Sequence, residues 1–180
     1  MEVVIDYEYL SGARGEEVLK EVSVAAEKSS IHSVFTPLLH ESHSSPTSGL
    51  CWEVGLIPYS SLFQALTEAT TYYAHLYAKG DDKCKFLSDI LGRPVQNLDL
   101  FGCPLRKEFR MTTGCSLPCH KFSGKSCAVH NAISLFGWLK HHIKDKKYVK
   151  CPKDDSRHTA IFNSGIEMEL RHILTSISGA

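Results

Sequence analysis

Val3-Val4-Ile5-Asp6-Tyr7-Glu8-Tyr9-Leu10 is a β-branched and aromatic run closed by Ser11-Gly12-Ala13-Arg14-Gly15, which predicts a buried strand followed by a turn. Val18 to Ala26 alternates roughly as a strand does, and Ile31-His32-Ser33-Val34-Phe35 forms another, with Lys28-Ser29-Ser30 as the hairpin loop between them. Three strands in succession predict an antiparallel meander. Residues 40 to 50 are polar, serine-rich and interrupted by Pro46, so they can bury little and read as a mobile surface loop.

The period then changes. Ser60 or Ser61 can cap a helix running to about Tyr72, with Leu62, Leu66 and Ala69 at helical spacing and Glu68 outside. Ala74 to Ala78 is a short apolar strand. From Asp81 a second helix carries Phe86, Leu87, Ile90 and Leu91 on one face and stops at Gly92-Arg93-Pro94. Val95 to Leu100 reads as a fifth strand, and strand–helix–strand alternation makes strands four and five parallel through right-handed crossovers. Residues 102 to 127 are irregular and rich in Cys, Gly and Pro. Ala128 to Ile143 is the strongest helix, its apolar stripe formed by Val129, Ala132, Ile133, Phe136, Leu139 and Ile143. The pattern as a whole predicts an α/β domain on a five-stranded mixed sheet, three strands antiparallel and two parallel, over residues 1–150. A C-terminal extension, 151–180, contains an amphipathic piece from Ile166 to Ile177 that either docks on the domain or contacts a protein partner.

Bulk composition changes this picture little. The chain has 180 residues, 43% hydrophobic and 22% charged, which suits one globular domain with a real core. Twenty basic and twenty acidic residues cancel, so only local clustering bears on a polyanionic partner. That cluster follows the last helix: Lys140, His141, His142, Lys144, Lys146, Lys147 and Lys150, with Tyr148 inside it. It reads either as a track for a phosphate backbone or as a solvated helix end favoured by the dipole. No basic segment followed by an apolar core opens the chain, and no stretch approaches the roughly 18 apolar residues of a membrane span. The expected location is intracellular, cytoplasmic or nuclear, with no membrane contact. Seven cysteines without a secretory signal argue for free thiols and a metal site over a disulfide framework.

Two constellations carry chemistry. Asp6 and Glu8 lie two apart on a strand, so their side chains share a face that a buried strand would fill with apolar groups. Two divalent cations, about 3.5–4 Å apart, are one way to compensate such a pair, as in phosphodiester cleavage; a solvated edge strand is the plain alternative. In this order of strands and helices, the Asp-x-Glu resembles the DEDD family of 3′-to-5′ exonucleases, of ribonuclease H-like fold, over roughly residues 1 to 145. Where that family opens its last helix with a general-base histidine and ends its metal set with an aspartate, Ser126-Cys127-Ala128-Val129-His130-Asn131-Ala132 places Ser126 and Asn131. An amide carries no charge and a serine takes no proton near neutral pH. The family's remaining carboxylate corresponds to Asp81 or Asp82, of which Asp82 is taken as the third member of a vestigial set with Asp6 and Glu8; Mg²⁺ or Mn²⁺ would serve only an active enzyme.

The second constellation is Gly114-Cys115-Ser116-Leu117-Pro118-Cys119-His120 followed by Cys127, thiolate and imidazole groups suited to a structural zinc. Cys119 and His120 are adjacent, so Cys115, His120 and Cys127 form an equally good subset. This order is similar to the Glu-Cys-His-Cys signature of the Maelstrom domain, an exonuclease-like fold of germline small-RNA pathways that has lost its acidic set. The resemblance makes Glu21, in Lys20-Glu21-Val22-Ser23-Val24, the fourth zinc ligand, with Cys103 ranked behind it. Cys51, Cys84 and Cys151 read as structural, and Trp52 and Trp138 as core.

Three readings are open on these residues. One is a zinc-containing pseudo-nuclease, with no or weak activity, that handles single-stranded nucleic acid, RNA in preference, through Lys140, Lys144, Lys146 and Lys147. The second is an active metal-dependent nuclease using Asp6 and Glu8. The third is a protein-interaction scaffold on the same fold.

Overall fold

In the computed structural model, residues 1–11, 17–36, 50, 54–105, 108–109 and 127–142 are described. All of them belong to the first of two units, Met1–Val149; the second, Lys150–Ala180, lies outside the described residues, and with it the 166–177 segment.

The three N-terminal runs form β1 (Glu2–Ser11), β2 (Glu17–Ala25) and β3 (Ser30–Thr36), each antiparallel to the next. A two-residue strand β4 (Ile57–Pro58) adds parallel to β3, and β5 (His75–Ala78) and β6 (Val95–Asn97) add in parallel on the other side of β1. The sheet order is therefore β4-β3-β2-β1-β5-β6. It has six strands, not the expected five, because two residues held by a pair of register contacts leave no periodicity to read. Helices α1 (Leu62–Thr70), α2 (Asp81–Leu91) and α3 (Ala128–His142) complete the described architecture.

β1 is buried on both faces, which is why its sequence is nearly continuous in apolar residues. Val3, Ile5 and Tyr7 pack with Leu62 and Leu66 of α1 and Cys84 and Leu87 of α2. Val4 faces the other way, into a cluster with Tyr77, Leu98, Phe101, Cys103 and Leu135 and Leu139 of α3. Each fully buried Leu or Ile there is worth roughly 1.5–3 kcal/mol of transfer free energy. Asp6 and Glu8 share the face of Val4 and so look towards α3.

Two expectations are corrected by side-chain chemistry. Ile133 was placed on the apolar stripe of the last helix but is 48% exposed, whereas Asn131 and Leu135 are buried. Positions 131 and 133 lie about 200° apart around a helix, so drawing the Asn131 amide inwards to the β1 carboxylates turns Ile133 out. The fifth predicted strand ends at Asn97 instead of Leu100. The Asn97 Oδ1 accepts from the backbone N–H of Asp99 (2.9 Å) and of Gly80 (3.1 Å), which diverts the chain into a 3₁₀ turn over Leu98–Phe101.

β2 contains a bulge. Glu8 pairs with Glu21 and Tyr9 with Leu19, so the register shifts by one residue at Lys20. Lys20 is fully buried, and its Nζ donates to the Phe35 carbonyl at 2.7 Å. The same stretch of β3 is approached by Gly55, where an added Cβ would lie 2.6 Å from the carbonyl carbon and oxygen of Phe35 and 2.5 Å from Thr36 Oγ1. Backbone atoms cannot swing aside, so Gly55→Ala is expected to destabilise the fold by about 1–3 kcal/mol. Urea titration measures it; an unchanged midpoint would mean that residues 54–58 are not held against β3.

Candidate functional site

Asp6 and Glu8 are delivered to one place by strand periodicity, and the helix that faces them begins with the Ala128 N–H directed at Glu21 on the same face of the sheet. Asp6 is buried, with 3% of its surface exposed. The Asn131 Nδ2 donates to Asp6 Oδ2 at 2.7 Å and to Glu8 Oε1 at 3.3 Å. Two carboxylate acceptors on one amide nitrogen fix which way that amide points, since the reversed orientation would bring oxygen against oxygen. Its Oδ1 is buried and has no hydrogen-bond partner among the described residues.

The other oxygen of Asp6 is taken by a lysine. β5 stops at Ala78 and its register with β1 runs only from Glu2 to Val4, so among the described residues no strand lies beside that edge of β1 beyond Val4. Lys83, in the first turn of α2, reaches this edge: its Nζ lies 2.5 Å from Asp6 Oδ1, donates to the Tyr7 carbonyl at 2.6 Å, and sits 4.8 Å from the Tyr7 ring centroid. The ammonium thus has an anion, a carbonyl dipole and an aromatic face around it.

Of the residues expected in this centre, the structure brings together Asp6, Glu8 and Asn131. It adds Lys83, one position beyond the acid expected to serve. Asp82 is solvent-exposed on α2, and Asp81 accepts from Asn97 Nδ2 at 2.7 Å. Among the described residues no group of three or more His, Cys, Asp and Glu converges to hold a metal ion. The signal that could have found Lys83 is helical phase: 81, 82 and 83 point about 100° apart, so one of the three at most can meet the end of β1.

Glu21 forms a second locus beside the first, directly across the ladder from Glu8. It is fully buried. Its Oε2 accepts the Ala128 backbone N–H at 3.1 Å, satisfying one of the free amides that open α3 and placing a negative charge at the positive end of the helix dipole. Its Oε1 lies 2.8 Å from His32 Nε2 on β3 and 3.9 Å from Cys127 Sγ. Glu21 and Cys127 offer an oxygen and a sulfur donor of the kinds zinc takes, half of a four-ligand set. The other expected ligands, Cys115, Cys119 and His120, lie outside the described residues. His32 was not anticipated. The β2–β3 register pairs Glu21 with Val34 and Ser23 with His32, a diagonal within reach of long side chains.

Cys103, the alternative ligand, sits instead in the apolar cluster with Val4 and Leu135, where burial pushes its thiol up to about 11 in spite of the nearby Lys79. Cys84 is buried with its thiol against the Ala78 carbonyl, as a structural cysteine should be. Trp138 packs at the edge of the core and stacks on His142 with centroids 4.9 Å apart.

Lys140 is exposed and paired with Glu27 at 2.8 Å, a contact that holds the Glu27 carboxyl below its ordinary value. Lys144, Lys146 and Lys147 lie outside the described residues. No helix among the described residues is long and apolar enough to cross a membrane. Comparison of the chain with protein-family models, with curated proteins and with solved structures finds no match.

Proposed function

We propose that this chain is a nucleic-acid-handling domain of the exonuclease-like, ribonuclease H-like kind whose two-metal centre is incomplete, with single-stranded RNA as its favoured partner. The observation that carries the reading is the Asn131 amide donating to both Asp6 and Glu8. An antiparallel meander continued by two parallel strands, with an acid pair on the first strand and a long helix laid over it, is the arrangement in which a carboxylate at 131 would finish a cation site. An amide there supplies no charge. Ser126 supplies no base, and a missing general base costs about 10²–10⁴ in rate. Structural zinc belongs to the same reading, held by Glu21 and Cys127 together with ligands from Cys115, Cys119 and His120; its role there is to fix the segment before α3 to the sheet.

Binding through lysines is charge attraction without base reading. Affinity for labelled single strands, followed by fluorescence anisotropy, is therefore expected to fall steeply with salt. Neutralising Lys144, Lys146 and Lys147 together is expected to reduce the slope of log affinity against log salt by about 2 and to weaken all sequences alike. Binding that ignores salt, or no binding at low salt, would overturn the proposal. With Mn²⁺ present the strands are expected to stay intact; degradation at many turnovers per minute, abolished by Asp6→Ala, would replace it with that of a working nuclease built on Asp6 and Glu8.

A further inference from the structure

The position of Lys83 makes a claim about cations that can be tested without nucleic acid. A buried carboxylate must be compensated, and Asp6 is compensated at one oxygen by an ammonium and at the other by an amide. The ammonium lies against Asp6 Oδ1 and the Tyr7 carbonyl oxygen, both within 2.6 Å, hard oxygen donors that a divalent ion would also choose. Asn131 adds an independent sign. Its Oδ1 is a buried acceptor with no partner among the described residues, beside two carboxylates that already hold its Nδ2. Without the ammonium, Asp6 Oδ1 and the Tyr7 carbonyl would lose that partner, and with Glu8 beside Asp6 and the Asn131 amide turned over to offer its oxygen they would form a donor set of the Mg²⁺ and Mn²⁺ type.

We propose that Lys83 is a tethered cation standing in a latent divalent-cation site formed by Asp6, Glu8 and Asn131, and that it keeps Mg²⁺ and Mn²⁺ out of that site. An ammonium attached to the same chain competes at a high effective concentration and makes two short contacts to oxygen as well as the contact with the Tyr7 ring. A divalent ion entering from solvent must displace it and leave the lysine without those partners. The device deepens the reading of the centre as catalytically incomplete, and it fails or stands on its own measurement.

Mn²⁺ binding to the full chain, followed by the electron paramagnetic resonance of free Mn²⁺, is the test. The natural chain is expected to bind no Mn²⁺ at this site up to about 1 mM, and Lys83→Met to bind one ion at least about tenfold more tightly. The gain is expected to vanish in Lys83→Met combined with Asp6→Asn, which separates it from any metal held elsewhere, and to be absent in Lys83→Arg, which keeps the charge. Thermal melts give a second readout: Mn²⁺ is expected to raise the melting temperature of Lys83→Met and leave that of the natural chain unmoved. Asp6-dependent Mn²⁺ binding by the natural chain would overturn the proposal. So would a folded Lys83→Met chain with no gain, or one that is unfolded with and without Mn²⁺. Failure of the strand-binding experiment would leave these outcomes untouched.

Discussion

Asn131→Asp is expected to destabilise the folded chain by about 3–5 kcal/mol at neutral pH, the cost of putting an unpaired charge into a buried site. The change removes the amide that donates to Asp6 and Glu8 and sets a third carboxylate against them, while Lys83 stays engaged with Asp6. The sign of the pH dependence follows. Like charges raise the folded-state pKa of the new carboxyl above its unfolded value, so the protonated form is the one the fold tolerates. Stability contributed by that protonation is present below the unfolded value, near 4, and is lost as pH rises through the raised folded one. The deficit relative to the natural chain should therefore be smallest in mild acid and full at neutral pH. Urea titrations at several pH values measure it; a variant as stable as the natural chain at pH 7 would mean that residue 131 does not face the β1 carboxylates.

Glu21→Ala is expected to cost roughly 2–4 kcal/mol, because one side chain serves three elements at once. It leaves the Ala128 N–H without its acceptor at the start of α3, removes the partner of His32 on β3, and opens a gap beside Cys127. Glu21→Gln retains an acceptor for Ala128 and should cost less than half as much. Zinc analysis of the same variants adds a second readout. If Glu21 is a ligand, metal retained through purification should fall in both, since an amide is a far poorer zinc ligand than a carboxylate. Full stability in Glu21→Ala would show that α3 starts without this cap. Undiminished zinc would remove Glu21 from the ligand set and leave its role as a helix cap.

The order of strands and helices was legible because each carries its own period. β1 is an apolar run of strand length, β2 and β3 alternate, α1 and α2 recur at helical spacing, and Gly92-Arg93-Pro94 marks a stop that the structure keeps, with Gly92 in the left-handed region at φ 61°. The acid pair was legible for the same reason, as two polar residues two apart in an apolar strand. What escaped is interaction between residues far apart in sequence. Lys83 meets Asp6 across 77 positions, and residue type in Asp81-Asp82-Lys83 points to the acids; only helical phase separates the three. His32 meets Glu21 along a diagonal of the β2–β3 hairpin, whose register only the folded sheet fixes. Ile133 was misplaced because hydropathy alone drew the stripe of α3, while the buried face of that helix is turned partly by a polar residue, Asn131. Lys20 was unreadable, since a fully buried lysine contradicts its own composition until the Phe35 carbonyl appears beside it.

The bulge at Lys20 also bears on how this sheet tolerates gain and loss of residues. Leu19 lies on the α1–α2 side with Val22 and Val24, while Glu21 lies on the α3 side. The strand therefore changes parity at Lys20, and the residues before and after it keep their faces only because one extra residue stands between them. An insertion or deletion elsewhere within β2 would exchange core and carboxylate faces for everything on one side of it. Deleting Lys20 would instead restore simple alternation: Leu19 would stay with Val22 and Val24, and Glu21 would stay opposite Glu8. The length of β2 is thus free to change by one at a single internal point, and there the loss falls on the buried ammonium and the carbonyl it serves, leaving the faces of both neighbouring clusters as they are.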